Sequence, residues 1–237
     1  MENVEKKEEI LDILDNKRRE FTEMKKIVLS PSKIDHRPIY HFFKRTLDII
    51  GSGLGLIALS PIFAWVAYKV HHEDGGPVFY NQDRVGKDGN HFKMYKFRSM
   101  IPNADQMVAE LEDQNEIDGA MFKIKDDPRI TKIGKFIRKH SLDELPQLVN
   151  VFKGDMSLVG PRPPLPSEVD QYTDYDKLRL KVTPGCTGLW QVTKRNDADF
   201  DEMVELDLDY INNSSFRYDL KIIFKTVGVL FKPNSGY

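Results

Sequence analysis

The chain has 237 residues, of which 40% are hydrophobic and 30% are charged; 35 basic and 37 acidic side chains give a formal net charge of −2. This composition argues against a polytopic membrane protein and a wholly disordered chain, and the balanced charge argues against bulk nucleic-acid binding. The single cysteine, Cys186, excludes an internal disulfide and any multi-cysteine metal site.

The N-terminal arm, residues 1–38, is dense in charge and carries a partial helical stripe of isoleucine and leucine between residues 10 and 14. This pattern predicts an exposed amphipathic helix. A solvated helix is the simplest interpretation, and partner binding is the alternative.

An uncharged segment of 20 residues, IIGSGLGLIALSPIFAWVAY (49–68), follows the arm. Its length is about that needed to cross a bilayer core. Ser60-Pro61 lies past its middle, and proline removes a backbone donor and breaks or kinks a helix. The Ser60 hydroxyl can satisfy the freed backbone group. Two topologies remain open: a kinked helix that crosses once, and a re-entrant pair of half-helices whose ends lie on one side.

Three short elements are predicted further along. Aromatic and β-branched runs within residues 77–100 flank a turn at residues 86–90, which predicts a β-hairpin. Residues 131–139 predict a basic amphipathic helix, suited either to an anionic membrane surface or to core packing with a solvated basic face. Residues 103–115 are typical of an acidic helix, and residues 146–153 of a helix that ends at Gly154.

The adjacent carboxylates Asp143 and Glu144 are the sharpest chemical feature. Pro146 suits a first helical position and disfavours α geometry at Leu145, so both carboxylates are expected at a helix N-terminus, where negative charge is stabilised. An alternative is purely structural, because residues 141–144 also match a capping box in which Glu144 only caps backbone amides.

Basic side chains collect around this pair in the sequence. A carboxylate nucleophile, a second carboxylate free to hold a metal ion and cations for phosphate oxygens together suit phosphoryl transfer. Arg162 lies within a proline cluster that fixes its loop, which favours bidentate phosphate binding. The candidate phosphate-binding residues are Arg138, Arg162, Lys96, Arg98 and Arg129.

Four segments together resemble the bacterial sugar transferases, the monotopic polyprenyl-phosphate phosphoglycosyltransferases. The resemblance covers about residues 39–237. The matching segments are KRTLDIIGSGLGLIALSPIF (44–63), GPVFYNQDRVGKDGNHFKMYKFRSM (76–100), DPRITKIGKFIRKHSLDELPQLVNVFKGDMSLVGPRPPLP (127–166) and TPGCTGLWQV (183–192).

The resemblance implies transfer of hexose-1-phosphate from a UDP-sugar to undecaprenyl phosphate, with release of UMP, as the first step of exopolysaccharide, capsule or O-antigen assembly. By position, Asp143 matches the nucleophile that forms a phosphosugar–aspartyl intermediate, and Glu144 matches the residue that holds Mg²⁺. Arg138 matches a phosphate-binding arginine, Arg162 a loop at the nucleotide site, and Ser60-Pro61 the break of a re-entrant membrane helix.

We therefore expect an α+β fold with a small sheet or hairpin and several helices. The expected division is a charged arm (1–38), a re-entrant membrane helix (39–72) and a cytoplasmic catalytic domain (73–237) at the bacterial inner membrane. The expected partners are the UDP-sugar, undecaprenyl phosphate, membrane lipid and other polysaccharide-assembly proteins, with no nucleic acid.

Two departures from the family pattern bear on the substrate. Many relatives carry a multi-span region in front of a similar C-terminal half, whereas this sequence resembles a minimal catalytic form. After Trp190, relatives often read QVSGR, where this chain reads QVTKR. The C-terminal stretch, with its Asp207–Tyr210 element and final SGY, resembles the hexose-phosphate branch of the family more than the shorter enzymes that use N-acetylated diamino sugars, which implies glucose or galactose. The alternatives are the same reaction with N-acetylhexosamine-1-phosphate, and a non-catalytic membrane scaffold of the assembly complex.

Overall fold

The computed structural model describes residues 27–34, 37–107, 124, 127–194 and 198–230. Over this part the chain is α+β, as predicted, with short strands among more extensive helices. The helices are α1 (Pro31–Ile34), α2 (Pro38–Ala58), α3 (Ser60–Asp74), α4 (Lys132–Lys139), α5 (Gln147–Lys153), α6 (Pro166–Val169), α7 (Leu189–Thr193), α8 (Phe200–Asn213) and α9 (Phe216–Leu230). The strands are β1 (Phe79–Val85), β2 (His91–Phe97), β3 (Ser157–Val159) and β4 (Gly185–Thr187).

Helices α2 and α3 form a pair bent by 60° at Leu59. Pro61 has no amide proton for the Ile57 carbonyl, and the Ser60 hydroxyl donates to that oxygen instead at 2.8 Å. The helix therefore breaks where the sequence predicts, and the serine satisfies the freed acceptor. Among the described helices, none alone has the length and apolar character to cross a bilayer, whereas this bent pair meets both criteria together.

Helix α2 is attached to the rest of the fold by charged side chains. The Arg45 guanidinium donates to the Val151 and Phe152 carbonyls near the end of α5, at 2.7 and 2.8 Å. Asp48 accepts from the Ser157 hydroxyl and the Leu158 amide at 3.0 and 2.8 Å. These contacts fix the first half of the helix pair against the elements that follow the carboxylate pair.

The predicted hairpin is confirmed. Strands β1 and β2 are antiparallel, with Phe79 opposite Phe97 and Val85 opposite His91. The connecting turn has positive φ angles at Asp88 and Gly89, 55° and 81°, which explains the Asp-Gly sequence there. A second described pair, β3 and β4, is parallel.

The hydrophobic core has two main parts. One packs β3 against α7, α8 and α9, and its buried residues are Val159, Leu189, Val204, Leu208, Tyr210, Ile211 and Ile222. The other joins α3, β2 and α4 through Val66, Val70, Phe97 and Ile137. The second part ties the end of the bent helix pair to the helix that leads into the carboxylates.

The remaining predicted helices have different outcomes. Helix α4 forms with the Thr131 hydroxyl accepting from the Gly134 amide, and α5 ends at Gly154, whose φ is 101°. Both predictions are confirmed. Residues 104–107 form a 3₁₀ turn, and most of the predicted acidic helix at 103–115 lies outside the described residues, as does the predicted stripe at residues 10–14. The division at residues 38 and 72 stays a prediction.

Candidate active site

Asp143 and Glu144 lie in a 3₁₀ turn, Leu142–Glu144, between α4 and α5. Ser141 turns the chain out of α4 with a left-handed φ of 54°. Its hydroxyl makes no capping bond, so the capping box predicted as the structural alternative is not formed. Leu145 is right-handed α despite the proline that follows, which corrects the expected extended geometry. Its amide donates to the Leu142 carbonyl, which makes the turn continuous with the helix.

The pair consequently lies just before the first turn of α5, whose N-cap is Pro146. This corrects the prediction that the carboxylates occupy the helix N-terminus itself. The helix field falls off within a turn, so nearby side chains carry more of the electrostatics than the helix does.

Asp143 is only 9% exposed, and its carboxylate has no hydrogen-bond or ion-pair partner in another described residue. Burial and the neighbouring Glu144 carboxylate raise its pKa to about 6, while the Lys96 and Arg138 cations oppose that shift. Asp143 is thus poorly solvated yet still largely ionised near neutral pH. A carboxylate in this state has a free oxygen with which to react.

Glu144 lies in a different environment. The Lys96 ammonium donates to its Oε1 at 2.9 Å, and its side chain is 44% exposed. Lys96 holds the pKa of Glu144 below its usual value. Two adjacent carboxylates therefore have pKa values pushed apart by their surroundings, as is typical of carboxylate pairs with separate chemical roles.

A small polar cleft opens beside Glu144 and is strongly basic. It is lined by Arg84, Met94, Lys96, Glu144, Gln147, Arg162, Pro163, Gly185, Cys186 and Gln191. Three cations face one carboxylate in this cleft. Such an excess of positive charge suits an anionic ligand with more than one phosphate.

Arg84 is a cleft residue that the sequence analysis missed. It is 4% exposed, and it donates hydrogen bonds to the neutral oxygens of Pro163 and Gln82, at 2.7 to 3.2 Å. No carboxylate among the described residues pairs with it. Burial and the Arg162 charge lower its pKa to about 10. The alternation of side chains along the strand could have identified Arg84 in the sequence, because it places Arg84 on the same, partly buried face of β1 as Tyr80 and Gln82.

Arg162 extends from the proline-rich loop and is 30% exposed, with Nη1 3.7 Å from Glu168. Its carbonyl accepts from Arg179, which is itself paired with the buried Asp207. Close backbone approach also fixes this loop, since a Cβ at Gly160 would lie 2.6 Å from the Thr183 carbonyl oxygen. The rigid loop predicted from the prolines is thus tied to two other parts of the chain.

The structure brings Arg138, Lys96 and Arg162 to the pair but gives Arg98 and Arg129 other partners. Arg138 donates to the Ser99 hydroxyl at 2.9 Å and acts electrostatically on Asp143. Arg98 is 6% exposed and pairs with both oxygens of Asp74 at 2.6 and 2.5 Å. Arg129, equally buried, pairs with Asp127. The predicted phosphate-binding roles of Arg98 and Arg129 stay predictions, and these pairings support structural roles.

Comparison with known proteins identifies the family of this chain. A profile of the family described as "Bacterial sugar transferase" matches residues 39–233. The chain belongs to the bacterial sugar transferase family.

Named members of the bacterial sugar transferase family are closely similar to this chain. "Galactosyl transferase CpsE" of Streptococcus agalactiae serotype III is 51% identical over 188 residues, covering 79% of this chain and 42% of that protein. "Undecaprenyl-phosphate galactose phosphotransferase" of Salmonella typhimurium is 48% identical over 200 residues, covering 83% and 42%. "Exopolysaccharide production protein ExoY" of Sinorhizobium fredii is 42% identical over 205 residues, covering 85% and 91%. The chain thus spans less than half of the first two relatives and nearly all of the third.

Proposed function

We propose that the chain transfers hexose-1-phosphate from a UDP-sugar to undecaprenyl phosphate, releases UMP and so initiates assembly of an exopolysaccharide, capsule or O-antigen. The observation that carries this proposal is the buried, unpaired Asp143 carboxylate beside a cleft lined by three cations. Two of the relatives named above support galactose as the first sugar to test.

The proposed reaction has two displacements at one phosphorus atom. A carboxylate oxygen of Asp143 attacks the sugar-bearing phosphorus of the donor, and the bond to the bridging oxygen breaks, so UMP leaves with that oxygen. An oxygen of undecaprenyl phosphate then attacks the same phosphorus, and the bond to Asp143 breaks. The carboxylate is restored, and the product is the lipid diphosphate sugar. A covalent intermediate divides one difficult transfer into two easier ones.

The cleft cations supply the electrostatic part of this proposal. Lys96 and Arg138 already lower the pKa of Asp143, so they favour its ionised, nucleophilic form. Arg84 and Arg162 are the groups with unused capacity for phosphate oxygens. Fixed positive charge against a diphosphate lowers the cost of bringing a carboxylate to it, and stabilises charge that develops on the leaving phosphate.

The residues present fit a magnesium ion held partly by substrate. Glu144 is partly exposed beside Asp143, and the described residues contain no group of three or more histidine, cysteine, aspartate or glutamate side chains that could enclose an ion. Mg²⁺ is commonly bound by one or two carboxylates together with substrate phosphates and water. Glu144, with Asp143 beside it, would hold the ion, which would neutralise charge on the donor phosphates.

We propose in addition that α2 and α3 form a re-entrant membrane anchor with both ends in the cytoplasm. The 60° bend and the Ser60–Ile57 bond support the anchor over a straight span. Because α2 contacts α5 and β3 through Arg45 and Asp48, this anchor would hold the carboxylate pair at a fixed height above the lipid. The acceptor phosphate lies at that surface.

The test is UMP release by the protein in lipid with undecaprenyl phosphate, Mg²⁺ and a panel of UDP-hexoses and UDP-N-acetylhexosamines. We expect release with a hexose donor and loss of release in Asp143→Asn. Release with only an N-acetylhexosamine donor would keep the reaction and change the sugar. No release with any donor from folded protein in lipid would contradict the proposal and favour the scaffold alternative.

A further inference from the structure

The proline-rich loop that carries Arg162 is held in place through its backbone. Each carbonyl oxygen from residue 161 to residue 164 accepts a hydrogen bond from outside the loop. In that order, the donors are the Gly185 amide, the Arg179 guanidinium, the Arg84 guanidinium and the Val85 amide, at 2.8, 3.3, 2.9 and 2.9 Å. Because all four carbonyls are satisfied in this way, the position of the Arg162 backbone does not depend on what its side chain contacts.

The Arg162 side chain is held more loosely than its backbone. It is 30% exposed, and its Nη1 lies 3.7 Å from Oε1 of Glu168, which is too far for a hydrogen bond. On the cleft side, its charge adds to that of Lys96 in lowering the pKa of Glu144. The guanidinium therefore interacts with carboxylates on two sides. A phosphate in the cleft can draw it from Glu168 without breaking a hydrogen bond between the two side chains.

Glu168 is fixed behind Arg162. It is 4% exposed, and its Oε2 accepts from the Leu165 amide at 2.8 Å, so Oε1 is the oxygen nearest to Arg162. A buried carboxylate is costly unless cations lie near it. The cations that this one reaches include Arg162 and also Arg84, because the Glu168 charge opposes the lowering of the Arg84 pKa by burial and by Arg162. Glu168 thus offsets part of the positive charge of the cleft from behind its lining.

We infer that Glu168 is a positioning residue that acts through Arg162: it attracts the guanidinium and so competes with phosphate oxygens for it. The inference rests on the proposed function, in which UMP must leave the cleft after each transfer. Cations that bind the donor phosphates also retain the product phosphate, and product release limits many enzymes. By weakening the hold of Arg162 on phosphate, Glu168 shortens the time that UMP stays bound.

The test is the dissociation constant of UMP in the presence of Mg²⁺, measured by calorimetry on the full chain in lipid nanodiscs. Glu168→Gln keeps an acceptor for the Leu165 amide and removes the charge. We expect UMP to bind roughly fivefold more tightly, the upper value for a partly exposed ion pair. A merely structural defect would weaken binding instead, so the sign of the change separates the two roles.

Asp176→Asn is the matched control for the loss of a buried carboxylate. Asp176 is 8% exposed and accepts from the Thr173 amide at 2.8 Å, much as Glu168 accepts from Leu165, but it does not line the cleft. Asparagine keeps an acceptor there. UMP should bind this variant as it binds the wild type, and an equal gain in affinity in both variants would overturn the inference.

The Arg162→Gln background tests whether Glu168 acts through Arg162. UMP should bind R162Q more weakly than the wild type, and adding E168Q should then change the dissociation constant by less than roughly twofold, because the side chain that couples Glu168 to the ligand is gone. A fivefold gain in both backgrounds would mean that the Glu168 charge acts on UMP directly, and would overturn the positioning role.

The outcomes distinguish this inference from the proposed function. Wild-type protein that binds UMP, with unchanged or weaker binding in Glu168→Gln, would overturn the role of Glu168 and leave the transferase proposal intact. Wild-type protein that binds neither UMP nor UDP-galactose would overturn both. If Glu168→Gln does not fold, Glu168→Asp tests the same point, because its carboxylate is withdrawn from Arg162 by one methylene. UMP should again bind more tightly, and unchanged or weaker binding would overturn the inference.

Discussion

At the junction of α2 and α9 the buried Asp219 has an ion-pair partner, whereas near the carboxylate pair the buried Arg84 and Asp143 have none among the described residues. At the junction, Lys44 donates to Asp219, to the Val159 carbonyl and to the Tyr210 hydroxyl, at 2.9 to 3.2 Å. In the cleft, Arg84 donates to neutral oxygens, and Asp143 has no partner in another described residue. An unpaired buried charge costs stability. The contrast indicates a structural role for the paired Asp219, and it indicates that the unpaired Arg84 and Asp143 belong to a site suited to a charged ligand.

The largest expected effect is on activity at Asp143. Asp143→Asn keeps the shape of the side chain but removes the nucleophile, so we expect UMP release to fall by on the order of 10³-fold or more. The melting temperature should stay the same or rise, because a poorly solvated charge is lost. A turnover assay and thermal unfolding in detergent check both parts. An active variant, or a strongly destabilised one, would contradict the claim that the unpaired Asp143 serves reactivity at the cost of stability.

In contrast to Asp143→Asn, Asp219→Asn should lower the stability of the fold. It leaves Lys44, which is 14% exposed, without its carboxylate, and breaking a buried pair costs about 3 kcal/mol. We expect a clear drop in melting temperature, measured in the same detergent. Asp209→Asn is the control on the adjoining helix, since within the described part of the chain its carboxylate accepts only from the exposed Asn213 amide. Equal stability of the two variants would remove the structural role assigned to the junction.

Arg84, in β1, and Arg98, directly after β2, provide a matched pair of arginines. Arg84→Gln should raise the KM for the UDP-sugar by roughly 10- to 100-fold, the value of a charge-assisted hydrogen bond, with little loss of stability. Arg98→Gln removes the guanidinium that pairs with Asp74, so it should lower the melting temperature instead of raising the KM. Steady-state kinetics with thermal unfolding distinguish them. A KM effect at Arg98 with unchanged stability would restore the phosphate-binding role predicted from the sequence.

The pH dependence follows from the raised pKa of Asp143, about 6. Activity should fall roughly tenfold per pH unit below this value, as the nucleophile is protonated, and level off above it. Stability has the opposite sign, because the folded state binds the proton more tightly. The contribution of this residue is present below its unfolded pKa and is lost as the pH rises through about 6. Melting curves of Asp143→Asn should lack this component.

Lys96→Gln should move the acid limb of that activity profile to higher pH, since Lys96 lowers the pKa of both carboxylates. Lys93→Gln is the matched control on the same strand, where the lysine pairs with exposed Asp83 instead. An unmoved limb in Lys96→Gln would mean that another group limits the reaction at low pH.

The smallest expected effect concerns the choice of sugar. Gln191 lines the cleft, and its buried Oε1 has no partner among the described residues. We expect Gln191→Leu to change the ratio of kcat/KM between hexose and N-acetylhexosamine donors by roughly fivefold, the value of one neutral hydrogen bond. Gln171→Leu, at an exposed position, should leave the ratio unchanged. An identical ratio in both variants would exclude Gln191 from donor selection.

Local features of the fold could be predicted from the sequence because they depend on neighbours in the chain. The Asp-Gly turn, the Gly154 cap of α5 and the Ser60-Pro61 break are of this kind. The arginine partners could not be predicted. Asp74 and Arg98 are separated by 24 residues that include the whole hairpin, and sequence spacing carries no signal for that contact.

The same limit applies to the candidate site. The pair at residues 143 and 144 was visible because its members are adjacent, whereas Arg84 enters the cleft from a strand some 60 residues earlier. At Leu145, by contrast, a prediction from neighbouring residues was wrong. A statistical preference before proline was overridden by the 3₁₀ turn that joins α4 to α5.

The most direct test of the central claim is to mix the protein in lipid with UDP-galactose and Mg²⁺ but without undecaprenyl phosphate, quench the mixture and map the labelled peptide by mass spectrometry. The account predicts UMP release stoichiometric with enzyme and a hexose-phosphate adduct on Asp143, absent from Asp143→Asn. Adding undecaprenyl phosphate should discharge the adduct. UMP release that requires the lipid acceptor from the outset, with no adduct on this residue, would contradict the account.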